Sequence, residues 1–191
     1  MANITIFEGP RTVGKTTLSQ KIRQKVWGST LINFTGFKED GHAGQQRVLT
    51  YYYSFLNAFR EMDADVPIIA DRIFISEMVY SRLYKSYDFE ADFARLLMFL
   101  FHPKNTVNIF YLTASADEMT NRSTRDKAEL FGSVKDEATE LVRQADEYTV
   151  VMGMVSRFIE NKKLTNVKLH TIDTTLMTPD EVYNTVLFNF N

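Results

Sequence analysis

The sequence contains no cysteine. Disulfides, thiol catalysis and cysteine-ligated metal centres are therefore excluded. Long apolar runs are missing too. The longest, Leu96–Phe101, falls far short of the roughly 20 residues needed to span a bilayer, so no membrane partner is expected. There is no Pro/Gly/Ser-rich linker, internal repeat or low-complexity tract. The 191 residues are accordingly read as a single domain, 1–191, long enough for a sizeable core. Charge of one sign is scarce: 22 Lys and Arg against 24 Asp and Glu leave a net −2. That gives no bulk electrostatic case for nucleic acid, although a local basic cleft stays open. His42, His102 and His170 lack metal-ligand spacing. A first strand begins within the opening residues, with no signal-peptide pattern, which fits a cytoplasmic protein.

What is present is a phosphate-binding loop. Gly9-Pro10-Arg11-Thr12-Val13-Gly14-Lys15-Thr16 spells G-x-x-x-x-G-K-T. By chance this pattern arises in roughly one chain in a hundred of this length, and its context makes it more specific. Ile4–Phe7 before it reads as a strand. Thr16 to Val26 after it reads as a helix, with Leu18, Ile22 and Val26 on one face. In such a loop, successive N–H groups and a helix N-terminus surround a polyphosphate. Lys15 is expected to reach the β- and γ-phosphates and the Thr16 hydroxyl to hold Mg²⁺. Glycines at 9 and 14 permit backbone angles and approaches that a Cβ blocks.

Five hydrophobic runs read as strands: Asn3–Phe7, Thr30–Phe34, Val66–Ala70, Val107–Leu112 and Val167–Ile172. Helical patterns separate them: Gln45–Met62, Phe74–Phe101 with a break near Ser86–Asp88, one starting at Ser115, Lys135–Asn161 and one from Pro179 to about Phe188. Ser115-Ala116-Asp117-Glu118 has capping-box spacing, and Thr178-Pro179-Asp180-Glu181 adds proline at the first helical position. Strands alternating with helices imply parallel crossovers and an α/β sandwich. Ligands in such folds sit beyond the carboxyl ends of the strands, where Gly9, Thr35, Asp71, Thr113 and Asp173 would fall.

Two further clusters carry chemistry. Val66–Ala70 leads into Asp71-Arg72. A carboxylate there can hold the Mg²⁺ shell or accept a proton from an attacking hydroxyl, and Arg72 can clamp a phosphate. The plainer reading is a strand-end ion pair. Arg122-Ser123-Thr124-Arg125-Asp126-Lys127 places two arginines on one helical face. They suit cations that arrive on a migrating phosphoryl group when a site closes, or else a solvated charge run. Tyr51-Tyr52-Tyr53, Phe55 and Phe59 are chiefly core, though a ring facing the cleft could stack a nucleobase.

With these residues in view, the chain resembles the thymidylate kinases. The resemblance lies in Phe7-Glu8-Gly9 before the loop, in Asp71-Arg72 with Ser76 and Tyr80 behind it, and in Tyr111–Glu118 followed by Arg122 and Arg125. The related deoxynucleoside kinases share the plan. The resemblance implies a three-layer sandwich with a five-stranded parallel sheet in order 2-3-1-4-5, and a mobile lid near 118–133. It implies that Gly9, Arg11, Thr12, Val13, Gly14, Lys15, Thr16 and Thr17 bind ATP, with Thr16 and Asp71 on Mg²⁺. Arg72 would take the acceptor's phosphate, Arg122 and Arg125 would belong to the lid, and the loop Thr174–Thr178 would lie near the adenine. Lys15, Asp71, Arg72, Arg122 and Arg125 form the expected catalytic set. A homodimer is compatible with the same plan.

The chain departs from the pattern at three places. Arg11 stands where thymidylate kinases usually carry Asp or Glu. Ile73 follows Asp-Arg in place of Tyr. Asn33-Phe34-Thr35-Gly36-Phe37-Lys38 replaces the usual proline-containing acceptor segment. The expected reaction is ATP-dependent phosphoryl transfer to a nucleotide-type acceptor, above all a deoxynucleoside monophosphate. Two alternatives stand beside it. One is a kinase acting on a hydroxyl of a nucleoside, of a modified nucleoside in DNA, or of a DNA end. The other is a P-loop ATPase switch, which lacks its usual signatures here: no Asn-Lys-x-Asp occurs, and no strand ends in Asp-Glu.

Overall fold

The structure is a computed structural model and describes residues 2–34, 37–61, 66–126 and 137–188. Five strands form one parallel sheet: β1 Asn3–Glu8, β2 Thr30–Asn33, β3 Pro67–Asp71, β4 Thr106–Thr113 and β5 Val167–Asp173. Their spatial order is β2-β3-β1-β4-β5, the order the resemblance implies. Seven helices connect and follow them among the described residues: α1 Lys15–Lys25, α2 Gly41–Glu61, α3 Phe74–Tyr84, α4 Glu90–Leu100, α5 Ala116–Asp126, α6 Glu137–Lys162 and α7 Pro179–Phe188.

The central strands are apolar on both faces because helices cover both. Ile4, Ile6, Ile68, Ala70, Val107 and Ile109 face the layer built by α2, α3, α4 and most of α6. Their alternates, Phe7, Ile69, Phe110 and Leu112, face α1, α5 and α7. This period of two is set by the pleat. A one-residue slip would exchange the two faces, so the register is firmly specified.

The expected break in the long helical pattern is real. Asp40 Oδ1 accepts the backbone N–H of Ser86 at 2.8 Å and its hydroxyl at 3.0 Å, and also caps Gly41 N–H at 2.7 Å. Asp40 therefore has a structural task, tying the start of α2 to the break between α3 and α4. Both predicted capping boxes form hydrogen bonds of the expected kind. Glu118 N–H donates to Ser115 Oγ at 3.3 Å, and Thr178 with Glu181 makes the reciprocal pair. The aromatic stretch on α2 packs inward: Tyr52 and Phe59 are buried, and Phe34, Phe37, Tyr51, Tyr52 and Phe55 form one edge-to-face cluster. Thr35, Gly36 and the lid beyond Asp126 lie outside the described residues.

Candidate functional site

Register brings the site together. β1 lies between β3 and β4, and Phe7 is level with Asp71 across the β1–β3 ladder. The phosphate-binding loop leaves β1 at Glu8 and enters α1 at Lys15. Gly9 has φ 144° and passes so close to β4 that a Cβ would stand 2.2 Å from the Leu112 carbonyl oxygen. Only glycine fits there. Val13 turns its side chain into the apolar layer beneath, so its share in any phosphate contact is its backbone. Thr12 and Arg72 are non-glycine residues in the left-handed region, at φ 64° and 69°. Such residues are uncommon and cost energy, and they concentrate where a site must be held in shape.

Asp71 and Thr16, the two residues expected on the metal, lie within hydrogen-bond distance of each other. Thr16 Oγ1 donates to Asp71 Oδ2 at 2.6 Å, and Asn33 Nδ2 reaches the same oxygen at 3.3 Å. The other carboxylate oxygen, Oδ1, is buried with no hydrogen-bond partner. An orphaned carboxylate oxygen beside a hydroxyl fits Mg²⁺, which takes one or two protein oxygens and completes its shell with water and phosphate. Among the described residues no cluster of three or more His, Asp or Glu offers a self-sufficient cation cage. The donor set thus suits a metal delivered with a polyphosphate.

Lys15 is 4% exposed, and its Nζ donates to the Pro10 carbonyl of its own loop. Burial, then the neighbouring Arg72, pushes its pKa well below the ordinary lysine value, against the pull of Asp71 and Glu8. An incoming polyphosphate would relieve that penalty. Arg72 lines the same cleft, and its Nη1 donates to Tyr80 OH at 3.0 Å.

Arg122, expected in the lid, makes contacts on two elements. Nη1 and Nη2 donate to Thr174 Oγ1 at 3.0 Å and to the Thr174 carbonyl at 2.6 Å, and Nε pairs with Glu118 at 2.7 Å. Thr174 is itself buried and bound twice to the Thr113 carbonyl, at 2.8 Å each. Arg122 therefore bridges α5 and the β5–α7 loop. The charge-dense sequence around it hides this anchor, which lies 52 residues away. Arg125 and Thr17 also line the cleft, as do Thr174, Met177 and Thr178 of the loop expected near adenine. The cleft encloses about 470 Å³, within the range of nucleotide-sized sites. Arg11 lies close enough to Lys15 to oppose its charge.

Glu8 received no role from the sequence beyond its place in Phe7-Glu8-Gly9. It is fully buried, accepts Ile73 N–H at 2.8 Å and the Ser76 hydroxyl at 2.7 Å, and Ser76 Oγ lies 2.7 Å from Tyr148 OH. Burial raises its pKa to about 7 against those hydrogen bonds and against Arg72 and Lys15. A charged residue at the end of a strand buried on both faces was the available signal. Tyr148 gave none that separates it from an ordinary core ring.

Together, the sheet order and the cleft define a three-layer α/β fold with a phosphate-binding loop between β1 and α1, the fold that solved thymidylate and deoxynucleoside kinases share. No family model matches the sequence, and no curated protein matches it. Solved structures do resemble it. Thymidylate kinase from Candida albicans aligns over 98% of this chain and 90% of its own, with TM-score 0.64 and 17% identity. Deoxyadenosine kinase from M. mycoides, solved with products dCMP and dCDP, aligns over 98% of each chain, with TM-score 0.60 and 15% identity. Polyphosphate kinase 2 from Arthrobacter aurescens TC1 aligns over 99% of this chain and 67% of its own, with TM-score 0.65 and 15% identity. At these identities the likeness is one of fold.

Proposed function

We propose that the protein transfers the γ-phosphoryl group of ATP to the phosphate of a nucleotide, with a deoxynucleoside monophosphate as the acceptor class. The observation that carries this reading is the state of the site's carboxylates. A hydroxyl acceptor has to lose a proton and calls for a base within reach. Asp71 Oδ2 is engaged by Thr16 and Asn33, and its buried Oδ1 is the oxygen assigned to the metal. Glu8 is sealed in the core with both oxygens occupied. A monophosphate is already an anionic nucleophile, so it needs a cation to hold it and no base. Arg72 at the cleft wall supplies that cation. Of the structural neighbours, the one named thymidylate kinase supports the same direction, and the one named deoxyadenosine kinase is why nucleosides are included in the test.

The chemistry follows from the placement. The backbone N–H groups of the loop and the α1 N-terminus hold the donor's phosphates. Lys15 leaves the Pro10 carbonyl and neutralises charge at the transferred group. An oxygen of the acceptor's phosphate forms a new P–O bond to Pγ as the bond from Pγ to the β,γ-bridging oxygen breaks, and ADP departs with that electron pair. Thr16 and Asp71 would hold Mg²⁺, which supplies electrostatic stabilisation of the leaving and transferring oxygens. Arg122 and Arg125 both line the cleft and would add positive charge there.

The test is ADP release from ATP–Mg²⁺ with deoxynucleoside monophosphates, nucleosides and DNA as separate acceptors. Turnover with a monophosphate and none with the hydroxyl acceptors is the expected result. Turnover with nucleosides or DNA alone would overturn the reading.

A further inference from the structure

We infer that Glu8 is a positioning residue: it fixes the left-handed backbone of Arg72, and through Ser76 and Tyr148 it ties that backbone to α6. The inference rests on the phosphate-clamp role given to Arg72 above. Two amide hydrogens flank the Arg72 Cα, and both are held by the end of β1. Arg72 N–H donates to the Phe7 carbonyl at 3.0 Å, and Ile73 N–H donates to Glu8 Oε1 at 2.8 Å. A non-glycine residue at φ 69° relaxes unless its surroundings over-determine it. These two bonds are what over-determines it.

The second Glu8 oxygen reaches further. Ser76 has one hydroxyl proton and gives it to Glu8 Oε2. Tyr148 OH must then donate to Ser76 Oγ across the 2.7 Å contact. The chain Tyr148–Ser76–Glu8–Ile73 N–H thus runs from the middle of α6 through α3 to the P-loop strand, and every member of it is buried. Tyr148 also stacks on Tyr111 of β4 at 6.4 Å between ring centroids, so the far end of the chain is itself held. Glu8 is thus buried with both carboxylate oxygens engaged by protein groups.

Glutamine separates positioning from base catalysis. In Glu8→Gln, Oε1 still accepts Ile73 N–H, and Nε2 donates to Ser76 Oγ with the relay reversed. In Glu8→Ala both bonds are lost. The probe is a bisubstrate analogue, adenosine and thymidine joined through five phosphates, measured by calorimetry alongside ATP–Mg²⁺ in the full-length protein. In wild type the analogue should bind more tightly than ATP. Glu8→Ala should lose that advantage by about tenfold or more while ATP binding changes little, and Glu8→Gln should restore most of it. Ser76→Ala, which keeps the Ile73 bond, should fall between them and covers the case in which Glu8→Ala does not fold. If the advantage survives in Glu8→Ala, or in Ser76→Ala where the former is unfolded, the positioning role is wrong and the kinase reading stands. A Glu8→Gln variant as deficient as Glu8→Ala also overturns positioning. If the wild type itself shows no advantage over ATP, the acceptor-phosphate reading fails and takes the role of Glu8 with it.

Discussion

Replacing Glu8 with glutamine should change how stability depends on pH. Burial lifts the Glu8 carboxyl from 4.5 to about 7 in the folded protein, and the facing Lys15 and Arg72 and the donors Ser76 and Ile73 only partly offset it. Tyr148 faces it through Ser76 and stays neutral, because burial pushes its own pKa up. In the unfolded chain Glu8 releases its proton near 4.5. Between the two values folding takes up a proton. This contribution is fully present below about 4.5 and is lost as pH rises through about 7. At roughly 1.4 kcal/mol per pH unit, the interval sets a ceiling of about 3 kcal/mol. For a chain of this size that is on the order of 6–12 °C in melting temperature. Lys15 has the opposite slope, since its depressed pKa makes stability rise with pH, and His170 loses stability as pH falls. Both residues remain in the variant; His170 cancels in the comparison, while Lys15, which the Glu8 carboxylate pulls upward, is depressed further in Glu8→Gln and adds to the same relative trend. Urea unfolding of wild type and Glu8→Gln, at half-unit steps from pH 4.5 to 8, reads the effect. Wild type should lose stability relative to the variant across that window. Parallel curves would show that Glu8 titrates at its ordinary value despite its enclosure, and would refute the electrostatic account of this site.

Three further outcomes are expected. Lys15→Ala should lower turnover by about 10²-fold or more while leaving the unfolding midpoint unchanged or higher, because the ammonium it removes is penalised by burial; unchanged turnover would sink the P-loop assignment. Asp71→Asn should raise the Mg²⁺ concentration needed for half-maximal rate, since the orphaned Oδ1 loses its charge, and a metal titration identical to wild type would remove Asp71 from the metal. Arg122→Ala should raise the ATP KM more than it lowers kcat and should destabilise the fold by about 1–3 kcal/mol, because Thr174 loses two donors; an effect on kcat alone would return Arg122 to a transition-state role.

The fold was legible because its determinants are local. Period-two strands, caps at Ser115 and Thr178, and the glycines of the loop each act within a few residues, and the element limits differ from expectation by a few residues at most. Sheet order was legible only by resemblance, because nothing in the strands' own composition says which neighbour each takes. The helix break at Ser86–Asp88 could be seen as a lapse in periodicity. Its cause, the carboxylate of Asp40 docking from 46 residues away, could not.

The site divides along the same line. Lys15, Thr16 and Gly9 announce themselves because they fall in one contiguous loop with a recognisable spacing. Glu8 with Ser76, Tyr148 with Ser76, and Arg122 with Thr174 are separated by 68, 72 and 52 residues. No spacing rule links them, and each residue type has an ordinary use elsewhere in the chain. What joins them is cost. The φ of Arg72 and the enclosed charges of Lys15 and Glu8 are each unfavourable on their own, and all three gather where β1 and β3 end side by side. An unfavourable feature that appears once is tolerated by a fold. Three within one hydrogen-bonded neighbourhood call for a shared reason, and under the proposed function a cleft already shaped when a polyphosphate arrives supplies one.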